Sequence, residues 1–159
     1  MPPISWHWKP FAELEPAELY ALLGARAEVF IVEQACAFQD LDGLDAFAWH
    51  LLGWSDDDGT RLLAAYLRLI EPGRKYVEPS IGRVLTTASF RGVGLGRAAM
   101  TEGLARARTL YPGQAIRIGA QQRLEQFYEE LGFRTVSEPY QEDNISHVEM
   151  LRVADRDRG

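Results

Sequence analysis

Cysteine is nearly missing from this chain. Cys36 is the one cysteine in 159 residues, so no internal disulfide can form; this fits a reducing compartment, and a cytoplasmic location is expected. Lysine is almost as scarce. Of seventeen basic residues only Lys9 and Lys75 are lysines, so positive charge is carried mainly by guanidinium, the better fork for phosphate oxygens. No apolar run reaches the roughly 18–20 residues that a membrane-crossing helix needs. The opening "MPPISWHWKPF" has no basic segment followed by an apolar one, so no signal peptide is predicted. A basic excess is also lacking: the net charge of -6 argues against a nucleic-acid partner, because phosphate neutralisation needs a basic surface. The three histidines, His7, His50 and His147, do not stand at zinc-ligand spacing, and no metal is expected.

What is present is an ordinary globular composition, 47% hydrophobic and 25% charged, long enough for one core. A single domain over 1–154 with a charged tail over 155–159 is expected. "ISWHW" alternates as a short strand. Pro16 suits a first helical turn, and Leu19, Leu22, Leu23, Arg26 and Phe30 then recur at helical spacing to about Val32. Gln34–Asp45 reads as a loop with "DGLD" turn chemistry. "FAWHLLGW" and "TRLLAAYLRLI", separated by "SDDDG", read as antiparallel strands, the second apolar on both faces and therefore central. "SIGRVLTTASF" begins as a strand, and a helix follows from Gly94 to about Leu110. "QAIRIGAQ" (strand), "QRLEQFYEEL" (helix), "FRTVS" and "SHVEMLRV" (strands) complete the chain. The predicted class is α/β, a mixed central sheet of about six or seven strands with helices on both faces.

The stretch "SFRGVGLGRAAM" places Gly92, Gly94 and Gly96 between a strand and a helix N-terminus. Such an end carries unsatisfied N–H groups and partial positive charge, and glycines let a bulky anion approach them. Arg91 and Arg97 add charge at the rim. A Walker A loop requires Lys-Ser/Thr after its last glycine, whereas Arg97-Ala98 stands here. A dinucleotide fingerprint requires G-x-G-x-x-G early in a βαβ unit with an acid roughly 20 residues on, and that too is missing. The pattern Arg/Gln-x-x-Gly-x-Gly/Ala is met by Arg91, Gly94 and Gly96.

That pattern resembles the pyrophosphate signature of the GNAT N-acetyltransferases. "FYEELGF", a helix bearing Tyr128 and closing on Gly132-Phe133, is similar to their second motif, in the same order and with one strand between. A narrower likeness, to the ElaA-type branch, covers nearly the whole chain through "RAEVFIVEQACAFQDLDGLD", "WHLLGW", "GAQ" and "YQEDNISHVEM". The branch pattern, Val-Glu-Gln-x-Cys-Pro-Tyr and a closing Asp-Gly-Ile-Pro-His, is departed from at Ala37, Phe38, Asn144 and Ser146.

The resemblance implies an acyl-CoA N-acyltransferase fold and direct transfer of an acetyl group from acetyl-CoA, a cosubstrate, to a primary amine. Backbone groups of Val84, Leu85 and Thr86 would pair with the pantetheine arm, and Arg91 with the N–H groups of Gly92, Val93, Gly94, Leu95, Gly96 and Arg97 would hold the pyrophosphate. Tyr128 would protonate the leaving thiolate; otherwise it is a half-buried aromatic packed on the sheet. An amine with a pKa of about 10.4 also needs a base. Glu33, His50, His147 and Glu149 are candidates, with a water-mediated base favoured at Glu33 or His147. His50, mid-strand, equally suits a structural histidine, and Cys36 suits a small buried hydrophobe better than an acyl-carrying nucleophile. The acceptor is a small-molecule or peptide amine. The acidic loop Gln39–Asp45 suggests a cationic one, although its aspartates also serve as turn residues. A homodimer is implied by the family alone. A non-catalytic acyl-CoA sensor on the same fold is the alternative function, and a nucleotide-phosphate enzyme is a third.

Overall fold

The structure, a computed structural model, describes residues 3–57 and 59–155. The half-apolar segment Ile4–Pro10 forms β1 at one edge of the sheet. Pro16 opens α1 (Pro16–Arg26), where its missing N–H costs no hydrogen bond, and a reciprocal Glu15–Glu18 capping box closes the first turn. From Ala27 to Glu33 the helix continues as a wide π-type turn, ended by Cys36 N–H donating to Ile31 O at 3.1 Å. The expected extent to about Val32 is therefore met, but by two windings rather than one.

The long hairpin follows: β2 (Ala48–Asp57) and β3 (Thr60–Ile70), antiparallel, with β3 buried from Ala64 to Ile70 as its two apolar faces require. The central residue of its turn, Asp58, lies outside the described residues. Then come β4 (Ser80–Thr86), α2 (Leu95–Leu110), β5 (Ile116–Gln121), α3 (Glu125–Glu130), β6 (Arg134–Thr135), β7 (Tyr140–Glu142) and β8 (Ile145–Arg152). Among the described residues the sheet has eight strands in the order β1-β2-β3-β4-β5-β8-β6, with β7 also paired to β8. The expected α/β class holds. The expected "FRTVS" strand shrinks to two residues, and β7 had no sequence signal beyond one tyrosine.

Alternation on β2, β3 and β4 divides the core between the two faces of the sheet. Leu51, Leu67, Leu69 and Ile81 pack with α2 and with Tyr128 and Phe133, whereas Leu52, Tyr66 and Leu85 pack with Leu22 and Val29 from the first helix. The centre of the sheet is thus covered above and below, which is what lets β4 and β5 part without exposing the core. Of the charged tail, only Asp155 falls within the described residues, where it accepts hydrogen bonds from Arg108 and Arg152.

Candidate active site

Parallel strands β4 and β5 share a single registered pair, Ser80 with Arg117, and then diverge. A cavity of about 510 Å³ opens there, with Val84, Leu85 and Thr86 on one wall and Ile118 to Gln121 on the other. Divergence leaves the facing edge of β4 without a neighbouring strand, an edge an extended ligand arm can join. A bulge sharpens the opening. Tyr66 pairs with Leu85 and Arg68 with Gly82, so β4 holds one extra residue, and Arg83 sits at φ +53°. A non-glycine residue in that region costs about 1–2 kcal/mol and persists only where its surroundings enforce it. The isolated glycine in "SIGRVL" was the one sequence signal for this bulge.

The glycine turn lies just past the end of β4. Gly92 and Gly94 adopt φ of +81° and +79°, where a side chain is strained, and open space surrounds both. Gly94 caps α2 without a side-chain hydrogen bond, so the first N–H groups of the helix remain available to an anion. Arg91 lines the cavity, donating to Thr86 O at 3.0 Å and to Glu33 Oε2 at 2.7 Å. The remaining members of the stretch stand apart from the cavity wall. Leu95 is buried in the core, and Arg97 pairs with Glu130 and lies over the Phe127 ring.

Tyr128 lines the cavity opposite β4 and is 8% exposed, edge-on to Phe127 and Phe133. Burial pushes its hydroxyl up to about 12, so it remains protonated near neutrality. His147 shares the cavity. Its Nδ1–H donates to Ile145 O at 2.7 Å, so in the neutral ring Nε2 carries the lone pair, 3.6 Å from Glu142 Oε2. Glu33 reaches the cavity but is held by Arg91. Glu149 is not on the wall and lies 3.9 Å from Arg117.

His50 is a structural histidine. Nε2–H donates to Asp45 O at 3.0 Å and Nδ1 accepts from the Tyr66 hydroxyl at 2.7 Å. Burial, outweighing the Asp45 carbonyl, lowers its pKa, so it stays neutral away from the cavity. Cys36 is half-buried on the cavity wall, its thiol donating to Asp143 O at 3.2 Å. That contact ties the first helical segment to the β7–β8 turn, where Asp143 and Asn144 both take positive φ as a two-residue hairpin demands.

The acidic loop does not face a cationic ligand. Asp40, Asp42 and Asp45 are absent from the cavity wall and bind three arginines. Arg26, fully buried, donates to Asp40 Oδ2 at 3.0 Å and Asp45 Oδ1 at 2.7 Å. Arg68 donates to Asp42 and Asp45, each at 2.9 Å from Nη1, and Arg83 donates to Asp40 at 2.8 Å. Burial opposes ionisation of Asp42 and Asp45, but the guanidiniums prevail and hold both carboxyls below the usual range. The same network anchors Arg83 at the strained bulge. The cavity wall instead presents Phe38, Arg83 and Lys75, none of which the sequence reading singled out for ligand contact.

Comparison with known proteins identifies the family and the fold. The acetyltransferase (GNAT) domain family matches residues 58–153, and the chain belongs to that family. The fold is that of acyl-CoA N-acyltransferases: such an enzyme from Pseudomonas aeruginosa superposes with a TM-score of 0.88 at 42% identity, covering 95% of this chain and 100% of the other. Within the family the chain resembles ElaA of Escherichia coli, whose crystal structure gives a TM-score of 0.86 at 36% identity over 94% of this chain and 99% of that one. A UPF0039 protein of the cyanobacterium Synechocystis is 40% identical over 93% of this chain and 94% of its own length. Among the described residues no helix is long and apolar enough to cross a membrane, and no group of three or more His, Cys, Asp or Glu side chains is placed to hold a metal ion.

Proposed function

We propose that the chain transfers the acetyl group of acetyl-CoA directly to a primary amine in a ternary complex. The observation that carries this reading is the divergence of β4 from β5 immediately before the glycine turn. It supports a thioester arm laid along Val84–Thr86, with its pyrophosphate at the unpaired N–H groups of Gly92 to Arg97 and at Arg91. The Arg91 guanidinium keeps Nη1 unengaged, so it can meet a phosphate oxygen while still holding Thr86 and Glu33.

Attack of the amine on the thioester carbonyl forms the N–C bond and expels the thiolate. Tyr128, neutral and facing the cavity, donates its hydrogen to that sulfur. The dry surroundings that raise the tyrosine also raise the basicity of the thiolate, which offsets the weaker acidity that burial gives the phenol. His147 takes the amine's proton through Nε2, directly or by one water. Glu33, engaged by Arg91, serves the donor side and not as the base. The test is calorimetric titration with acetyl-CoA followed by an acceptor screen that records CoA thiol release. Absence of binding at millimolar ligand refutes the proposal, and binding without turnover of any amine favours an acyl-CoA sensor instead.

A further inference from the structure

The chain's two lysines stand in opposite circumstances. Lys9 lies outside the cavity, its ammonium 2.9 Å from the carboxylate of Glu18. Lys75 is exposed on the cavity wall and makes no ion pair among the described residues. Its neighbour Tyr76 fixes where the segment sits. The Tyr76 hydroxyl packs over Gly119, 3.3 Å from where a Cβ would stand, close to the point where β5 leaves β4. Arg91 stands beside the glycine turn past one end of β4, whereas Lys75 shares the cavity wall with Ser80 at the other end, where β4 still pairs with β5. This is the end at which an arm laid along β4 from the glycine turn terminates.

The surroundings favour the free amine. Although the residue as a whole is open to solvent, partial desolvation of the ammonium against the cavity wall lowers its pKa; Glu142 opposes this, and Arg68 and Arg83 add to the lowering. Around the same site the chain uses arginine, which stays protonated and does not acylate under these conditions. An unpaired amine in an acyltransferase cleft is a competent nucleophile.

We propose that Lys75 Nζ is itself an acetyl acceptor, so that the enzyme acetylates its own cavity wall; this rests on the acetyl-CoA reading above. The neutral amine attacks the thioester carbonyl, the N–C bond forms and the C–S bond breaks. The leaving thiolate takes the Tyr128 proton, the new amide nitrogen gives its proton to His147, and solvent returns a proton to the tyrosinate. The products are acetyl-Lys75 and free CoA. Acetylation removes the charge of the wall's single lysine, and so makes the acceptor end of the cavity less attractive to anionic ligands.

The test incubates the intact protein with isotopically labelled acetyl-CoA and no acceptor, then maps the label by peptide mass spectrometry. With two lysines the map is unambiguous. The expected result is one acetyl group at Lys75, retained in Lys9→Arg and lost in Lys75→Arg and Gly94→Asp. The labelling rate should rise with pH with a midpoint below that of an ordinary lysine. Urea-unfolded protein should label Lys9 and Lys75 alike, showing that the fold makes the selection. Calorimetric binding of acetyl-CoA without label at Lys75 overturns the proposal and leaves the transferase reading intact. Equal labelling of Lys75 in Gly94→Asp also overturns it, because solution chemistry then suffices. Absence of acetyl-CoA binding overturns the reading on which the proposal rests.

Discussion

Replacing Arg26 by methionine keeps an unbranched stem but deletes the guanidinium at the centre of the Asp–Arg network. Three hydrogen bonds go with it, to Asp40 Oδ2, Asp45 Oδ1 and Asp40 O, at 3.0, 2.7 and 3.1 Å. Removing one partner of a buried pair costs about 3–5 kcal/mol, because the opposite charge is left unpaired in the interior. Here Asp40 keeps Arg83 and Asp45 keeps Arg68, so the lower end, about 3 kcal/mol, is expected. For a domain of this size that corresponds to a melting temperature lower by about 6–12 °C.

Urea unfolding followed by tryptophan fluorescence at neutral pH measures the loss. A pH series adds a check on its origin. Asp45 has a folded pKa below the ordinary one near 4, since Arg26 and Arg68 outweigh burial. The part of its contribution that depends on Arg26 is therefore complete above about pH 4 and is lost as the pH falls through the lower folded value. The gap between wild type and Arg26→Met should accordingly narrow on acidification. A neutral-pH loss below about 1 kcal/mol refutes a closed buried network. So does a gap that widens in acid.

Tyr128→Phe removes the proton donor while preserving the edge-on aromatic packing. We expect kcat to fall by about 10²–10⁴-fold with acetyl-CoA affinity unchanged, and wild-type kcat would remove the acid role. Gly94→Asp forces a side chain onto φ +79° and puts a carboxylate in the anion site. Calorimetry should show acetyl-CoA binding abolished, and an unaltered Kd would detach the loop from the function. His147→Gln should lower kcat by about 10²–10⁴-fold with acetyl-CoA affinity unchanged, and wild-type turnover would assign the base elsewhere. Glu33→Gln should raise the KM for acetyl-CoA and leave kcat in place, since Glu33 acts through Arg91; a lost kcat with unchanged KM would reverse the two assignments.

Local patterns carried much of this far. Two-faced apolarity placed β3 at the centre, Pro16 started α1, and the spacing of Arg91, Gly94 and Gly96 located the glycine turn before α2, because each depends on neighbours within a few residues. The acidic loop misled for the opposite reason. Asp40, Asp42 and Asp45 looked like a substrate field until Arg26, Arg68 and Arg83, brought in from three other elements, took them up. His50 was equally undecided in the sequence, and its two hydrogen bonds, to Tyr66 on the next strand and to the Asp45 carbonyl, settle it as structural. Lys75 attracted no attention as one residue of a surface loop.

Periodicity and turn chemistry are properties of contiguous residues, and for this protein they suffice for the fold class, the helix ends and the glycine turn. Burial, pairing and pKa are properties of groups that meet only after folding. The parting of β4 from β5 arises from the single pair Ser80–Arg117 and an extra residue at Arg83, neither of which has a local periodic signature. Tertiary structure therefore decided which carboxylates are already neutralised by arginine, which histidine keeps a lone pair facing the cleft, and which lysine stands unpaired beside it.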